Sequence, residues 1–367
     1  MALTREERLE ALHKAAEERI LVLDGAMGTM IQRHKLQEAD YRGERFKNWS
    51  EDLKGNNDLL CLTKPEIIED IHEAFFKAGS DIVETNSFNS TAISMADYKM
   101  EALAPEIAEE SAKLARRVAD RMSTDAKPRF VAGSVGPLNR TLSVSPDVNN
   151  PGYREVSWDQ VVDAFKDQIR ALTVGGVDLI LIETIFDTLN AKAAIFAAED
   201  VFEELGYRLP IMLSFTVTDM SGRNLSGQMV EAFWHSVRHA KPFSVGLNCG
   251  FGADNLRPHA LTLADCAEAR LCFFPNAGLP NEMGDYDETP EITGGHLKSW
   301  AEEGLVNIVG GCCGTTPDHI KAIADGVKDF APRPLPELNS GEAPAMRLSG
   351  LDPLSFVSPG CSNCGTA

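Results

Sequence analysis

The chain has no long apolar run, a shortage of basic residues against its acidic ones, and no glycine-rich phosphate fingerprint. Each absence removes a class of function. Without a stretch of about twenty apolar residues there is no candidate membrane span. The opening MALTREERLEALHKAAEERI is charged and periodic, and it lacks the apolar centre of a secretory signal. A cytoplasmic location is the expectation. Lys plus Arg number 35 and Asp plus Glu 55, for a net charge of −20. So acidic a surface serves solubility and argues against nucleic acid or anionic membrane as partner. The stretch DGAMGT (24–29) contains two glycines but not the G-x-G-x-x-G spacing of a dinucleotide-binding open sheet. In a reducing compartment the eight cysteines are expected as free thiols, metal ligands or redox groups rather than a disulfide framework.

What is present is a chain of 367 residues, 43% hydrophobic, ample for a real core. Eight short apolar runs recur along it: ILVLDG (20–25), DIVETN (81–86), FVAGSVG (130–136), DLILIET (178–184), IMLSFTV (211–217), FSVGLNCG (243–250), LCFFPNAG (271–278) and VNIVGGC (306–312). Nearly continuous, β-branched-rich runs of this kind read as strands buried on both faces. Amphipathic helical patterns separate them. The segment 65–79 opens on Pro65 and closes on Gly79, as helix ends prefer, and 157–176 and 316–330 behave alike. Eight strand–helix units predict an α/β fold, a (β/α)8 TIM barrel, over residues 1–330. Long connections at 30–65 and 137–157 would lie over its active face. From residue 331 the chain turns Pro-rich without helical or strand period, and 331–367 reads as an extended linker and flexible tail.

In such a barrel the active site lies at the C-terminal ends of the strands. Those ends deliver Asp24 and Gly25, Glu84, Ser134, Glu183, Ser214, Asn248 with Cys249, Asn276, and Cys312 with Cys313. Cys249 and the Cys312–Cys313 pair belong to strands six and eight, separated by one strand on the rim. Three thiolates converging there suit Zn2+, with a fourth position left open as in catalytic sites. Gly310, Gly311 and Gly314 would let the backbone turn so that adjacent cysteines face one ion. A vicinal redox pair is the other reading of Cys312 and Cys313. Cys61, Cys266 and Cys272 read as buried small hydrophobes. Cys361 and Cys364 have C-x-x-C spacing without a second pair, and read as tail.

The carboxylates Asp24, Glu84 and Glu183 beside a metal suggest recognition of an ammonium group. Amides of the turn at 24–29 could hold a carboxylate. An amino acid with a thiol satisfies all three demands. A free thiol, with a pKa near 8.5, is mostly protonated at neutral pH, and coordination to zinc deprotonates it into a nucleophile for a methyl group.

The segments LDGAMGTMIQ, ETNSFNST, LIETIFDTLNAKAA, GLNCG, PNAGLPN and VGGCCGTTPDHI closely resemble the homocysteine-binding module of cobalamin-dependent methionine synthase, in the homocysteine S-methyltransferase family. The resemblance runs from about residue 18 to 354 and includes RLSGLDPL (347–354), similar to that enzyme's inter-module linker. It implies methylation of homocysteine to methionine on a zinc thiolate. Zinc would be held by Cys249, Cys312 and Cys313, with Asn276 filling the fourth position when substrate is absent. Asp24 and Glu183 would bind the homocysteine amine, and the amides of Gly25 and Ala26 its carboxylate. Glu84 and Ser134 complete the candidate substrate contacts. The chain has no D-x-H-x-x-G corrinoid motif. Methylcobalamin and folate are therefore expected on separate modules or proteins acting in trans. Direct methylation by betaine or a sulfonium donor is the competing reading.

Overall fold

A computed structural model describes residues 3–336 and 345–357, so the Cys361 and Cys364 tail lies outside the described residues. The eight runs form the eight strands β1 (Leu21–Val22), β2 (Ile82–Glu84), β3 (Phe130–Val135), β4 (Leu179–Ile185), β5 (Ile211–Phe215), β6 (Ser244–Gly252), β7 (Arg270–Asn276) and β8 (Ile308–Val309). All neighbours are parallel, in the order β1-β8-β7-β6-β5-β4-β3-β2. Each strand is followed by a helix on the outside: Pro65–Ala78, Ala104–Met122, Trp158–Gly175, Thr188–Leu205, Val230–Val237, Ala253–Cys266, Pro290–Glu302 and Pro317–Val327. This is a (β/α)8 barrel. Among the described residues no helix is long and apolar enough to cross a membrane.

Side chains alternate across the strands with period two, which divides the apolar residues into two cores. Val22, Val83, Val131, Ile180, Leu213, Val245, Phe273 and Val309 pack outward against the helices. Leu21, Ile82, Phe130, Ala132, Leu179, Leu181, Met212, Cys272, Phe274 and Ile308 fill the interior. The helix Arg5–Glu18 closes the floor by adding Leu12, Ala15 and Ala16 to that interior set. Towards the C-terminal ends the same inward register switches to polar residues: Glu84, Ser134, Glu183, Ser214, Asn248 and Asn276. The barrel is thus apolar below and polar at its mouth. Gly246 is required inside, because a Cβ there would lie 1.5 Å from the Cys272 carbonyl oxygen.

The seam between β1 and β2 is sewn by carboxylates. Asp81 donates its N–H to the Val22 carbonyl at 2.6 Å, and its Oδ2 accepts the Val22 N–H at 2.9 Å. At the upper end Asp24 Oδ2 accepts the Glu84 N–H at 3.0 Å. Asp178 and Asn307, at the starts of β4 and β8, repeat the device by accepting the N–H of Val131 and Leu271. Side chains here stand in for ladder bonds that the short strands cannot make.

Residues 345–357, read from the sequence as extended linker, instead form an antiparallel hairpin, β9 (Ala345–Ser349) with β10 (Pro353–Val357). It lies on the helix Val230–Val237 side of the barrel through Met229 N–H to Leu351 O (2.9 Å), the Ser236 and Ser349 hydroxyls (2.6 Å) and Arg347 to Glu268 (2.9 Å). Its apolar residues Met346, Leu348, Leu354 and Phe356 are exposed. Polar contacts with the barrel therefore decide its conformation.

Replacing Asp81 by Ala should destabilise the protein by about 3 kcal/mol, because it orphans the buried Val22 N–H and the Arg19 guanidinium that Asp81 Oδ1 accepts from at 2.8 Å. Urea denaturation of the two proteins measures the loss; equal midpoints would show that the seam does not need the carboxylate.

Candidate metal centre and substrate cleft

The three cysteines meet. Cys249 leaves the end of β6 and Cys312 and Cys313 follow β8, and their sulfurs all lie within 4.8 Å of one another. The sulfurs of Cys249 and Cys312 are in direct contact, with Cα atoms 5.8 Å apart, and Cys313 Sγ is 3.9 Å from Cys249 Sγ. Adjacent residues can face one point because the backbone leaves the strand at once: Cys312 N–H bonds Pro275 O, Ala277 N–H bonds Cys313 O, and Gly314 turns at φ +81°. Gly310 and Gly311 have a different task from the flexibility expected of them. Neither has positive φ, but a Cβ at Gly311 would press on the Thr315 side chain at 2.5 Å.

Asn276 sits beside the cluster, its Oδ1 accepting the Cys313 N–H at 3.1 Å. Two further groups stand near the sulfurs. Asn248 Nδ2 lies 3.8 Å from Cys312 Sγ, and Tyr286 stands close enough to Cys313 for their charges to interact. Burial pushes the Tyr286 phenol up to about 12, with the neighbouring Cys313 adding to the rise. Cys61 and Cys272 are buried and Cys266 half-buried, away from the cluster, with thiols pushed up by burial.

A cleft of about 800 Å3 opens beside the sulfurs and is lined by Gly25–Thr29, Glu84, Ser134, Glu183, Cys249, Cys312 and Cys313 among others. Asp24 and Glu183 are buried, 1% and 4% exposed, and Glu84 is half-buried between them. Burial raises all three carboxyls, Glu183 to about 7, and the proximity of Glu183 and Asp24 raises Glu84 further. The Ser134 hydroxyl donates to Glu183 Oε1. Asp24 Oδ1 is buried with no hydrogen-bond partner. No Lys or Arg pairs with this trio among the described ion pairs, although buried carboxylates ordinarily require a cation. The arrangement is suited to receive a positive charge.

Of the expected carboxylate-binding amides, Ala26 N–H is engaged by Thr315 Oγ1 at 3.2 Å. Ala26 also begins the helix Met27–Arg33 without a side-chain cap, so further amide donors at the cleft come from its first turn. The sequence reading named Asn248 and Thr184 only as strand ends, and missed Tyr286 and the wall formed by Gln32, Arg33, Asn57, Asp58 and Phe88. Tyr286 reaches the cluster from a long loop that offers no periodic signal. Asn248, by contrast, stands next to Cys249 in GLNCG.

A family profile described as homocysteine S-methyltransferase matches residues 21–327. The chain belongs to that family. It is a methyltransferase, and the resemblance read from its motifs holds at the level of homocysteine S-methyltransferases. Among solved structures it is similar to the homocysteine methyltransferase MmuM from Escherichia coli. The oxidized form of that enzyme matches with TM-score 0.66 at 23% identity, over 87% of this chain and 99% of that one. Its metallated form matches with TM-score 0.65 at 22% identity over the same shares. At such identity the likeness concerns the fold, here the same barrel.

The carboxyl trio gives this methyltransferase a defined pH response. With Glu183 raised from 4.5 to about 7, the folded ligand-free protein binds more protons than the unfolded chain across that interval. The stabilisation from this group is complete below about pH 4.5 and is lost as pH rises through 7. Glu183→Gln removes the loss while keeping the shape. The ligand-free variant should therefore melt higher than wild type at pH 8 and close to it at pH 5. Thermal denaturation at the two pH values measures this; a variant less stable at pH 8 would mean that Glu183 already has a cationic partner.

Proposed function

We propose that this chain methylates homocysteine to methionine on a zinc ion held by Cys249, Cys312 and Cys313. The observation that carries the reading is the pairing, in one cleft, of three converging sulfurs with three carboxyls that lack a cation. The donor set fits zinc: three cysteine sulfurs leave one coordination position free, for which Asn276, whose Oδ1 accepts the Cys313 N–H, is the candidate. Zinc so held supplies the positive charge that lets a thiol lose its proton at neutral pH.

The chain's own residues do the rest. Asp24 Oδ1 and Glu183 receive the homocysteine ammonium, with Glu84 alongside and the Ser134 hydroxyl orienting Glu183. That cation reverses the electrostatics that raise the trio, so the carboxyls ionise when substrate enters. The first-turn amides around Gly25 and Ala26 receive the carboxylate. Held at both ends, the substrate projects its sulfur towards the cysteines. In the transfer the homocysteine sulfur gains the methyl group, its proton leaves, and the donor keeps the electron pair of the bond that breaks.

For the donor we favour a methyl-corrinoid carried by a separate module or protein, with betaine or a sulfonium compound as the second reading. Support comes from the rim. Val148, Met220, Leu279 and Met283, in the loops after β3, β5 and β7, are 95%, 73%, 53% and 90% exposed around the mouth. Exposed apolar side chains on the loops that follow the strand ends suit contact with a macromolecular carrier better than a small polar donor. The deciding assay offers the zinc-loaded protein homocysteine with methylcobalamin, betaine or a methylsulfonium compound in turn. Turnover with methylcobalamin supports the first reading. Turnover only with a small onium donor would replace it.

Cys312→Ala and Cys313→Ala should each lose both bound zinc and activity, as measured by metal analysis of the purified variants. Full zinc occupancy in either would overturn the ligand assignment and reopen the redox reading of that pair. Asp24→Asn should keep its zinc but weaken homocysteine binding by roughly 1.5–3 kcal/mol, the worth of a charge-assisted hydrogen bond. Titration calorimetry checks it, and unchanged affinity would place the amine elsewhere.

A further inference from the structure

Two non-glycine residues at the barrel mouth sit in the left-handed region, Thr184 at φ 54° and Cys249 at φ 55°. A β-branched residue seldom adopts that conformation, and such positions cost about 1–3 kcal/mol unless the surroundings enforce them. Both follow a site residue directly, Thr184 after Glu183 and Cys249 after Asn248. Both also mark breaks in strand register, between Ile182 and Ile185 in β4 and between Asn248 and Gly252 in β6.

One buried side chain touches both irregularities. Asn248 is 0% exposed. Its Oδ1 accepts from Ser214 Oγ at 2.7 Å and from the Thr184 N–H at 3.0 Å. Its Nδ2 donates to Thr184 Oγ1 at 2.9 Å and to Cys312 Sγ at 3.8 Å. Its main-chain carbonyl accepts from Thr216 Oγ1 at 3.1 Å. The orientation of the carboxamide is fixed by chemistry: a backbone N–H can only donate, so the oxygen must face Thr184 N and the nitrogen must face the sulfur. All four hydrogen-bonding capacities of the side chain are used.

We propose that Asn248 is a positioning residue that joins the two halves of the site, holding Thr184 and so Glu183 in the substrate-binding conformation while its N–H orients the Cys312 sulfur. The inference rests on the zinc and homocysteine reading above and goes beyond it by naming what keeps the ammonium end and the sulfur end in register. No other side chain of this size does both. Asp offers acceptors only, Leu neither, and Ser is too short to span Thr184 and Cys312. A hydrogen bond to a coordinating sulfur also draws off part of its negative charge.

The test compares Asn248→Asp, Asn248→Ala and Ser214→Ala in the full chain. Asn248→Asp keeps both acceptor bonds, exchanges the N–H donors for a second acceptor oxygen and adds an ionisable carboxyl beside the sulfur. Asn248→Ala loses everything. Ser214→Ala removes one bond to Oδ1 and leaves the sulfur contact alone. The readouts are zinc affinity by chelator competition, the sulfur-to-cobalt absorption of the cobalt(II)-substituted protein, and KM against kcat for homocysteine. In both Asn248 variants zinc affinity should fall by about tenfold or more, the cobalt absorption should shift, and KM should rise. Ser214→Ala should stay within about threefold of wild type in all three. If Asn248→Ala misfolds by circular dichroism, Asn248→Asp carries the test. A folded Asn248→Asp with wild-type zinc affinity, cobalt spectrum and KM would overturn the proposal while leaving the zinc reading intact. A wild-type chain that binds no zinc would instead overturn the zinc reading, and this inference with it.

Discussion

The mouth of this barrel gathers carboxyls with which no described Lys or Arg pairs. Asp24, Glu84 and Glu183 share a buried corner with three cysteine sulfurs, and no ion pair among the described residues supplies them a cation. In water six such groups would be unremarkable. Under a low-dielectric wall lost hydration raises every carboxyl, neighbouring charge adds to the rise at Asp24 and Glu84, and the site becomes receptive to positive charge. A metal for the sulfurs and an ammonium for the carboxyls answer that need together. The charge that destabilises the ligand-free protein is what would select a zwitterionic thiol substrate.

Such a concentration survives only in a scaffold that cannot relax around it. The interior below it is filled by Leu21, Leu181, Met212, Phe274 and their neighbours, and the helix Arg5–Glu18 seals the far end. The weak place in the cylinder is the β1–β2 seam, where strands of two and three residues meet. Asp81 and Asp24 bridge it with side-chain oxygens, one at the floor and one at the mouth. Asp24 therefore has two duties. One oxygen closes the barrel and the other is buried without a hydrogen-bond partner, free for the ammonium proposed above. The substrate site is in this sense part of the closure of the fold.

The strained residues follow the same logic. A regular strand end would send alternate side chains to opposite faces and could not present Cys249 to Cys312 while keeping Glu183 inward. Left-handed turns at Thr184 and Cys249 re-aim the chain, and Asn248 couples them. Backbone strain here sits where binding needs it, and hydrogen bonds from rigid neighbours offset it.

Much of this was legible in the sequence. Eight apolar runs alternating with helical patterns determine a closed parallel barrel, because strands buried on both faces must be apolar throughout and each needs a covering helix. The polar residue ending each run then marks the mouth, which is how Asp24, Glu84, Glu183 and the three cysteines could be named. Tertiary structure alone decided how they are coupled. Nothing local says that Asp24 would spend one oxygen on the backbone of β2, because that bond spans 60 residues. Nor does the linear chain show that the Asn248 side chain spans Thr184 and Cys312, each 64 residues away. Tyr286 was hidden in a loop without period, and the hairpin at 345–357 was read as linker because its segment is Pro-rich and shows no sustained strand period; polar contacts with the barrel hold it instead. Periodicity records which face of an element is buried. Contacts between distant elements, and elements held by polar contacts, leave no such record, and only the closed barrel brings them together.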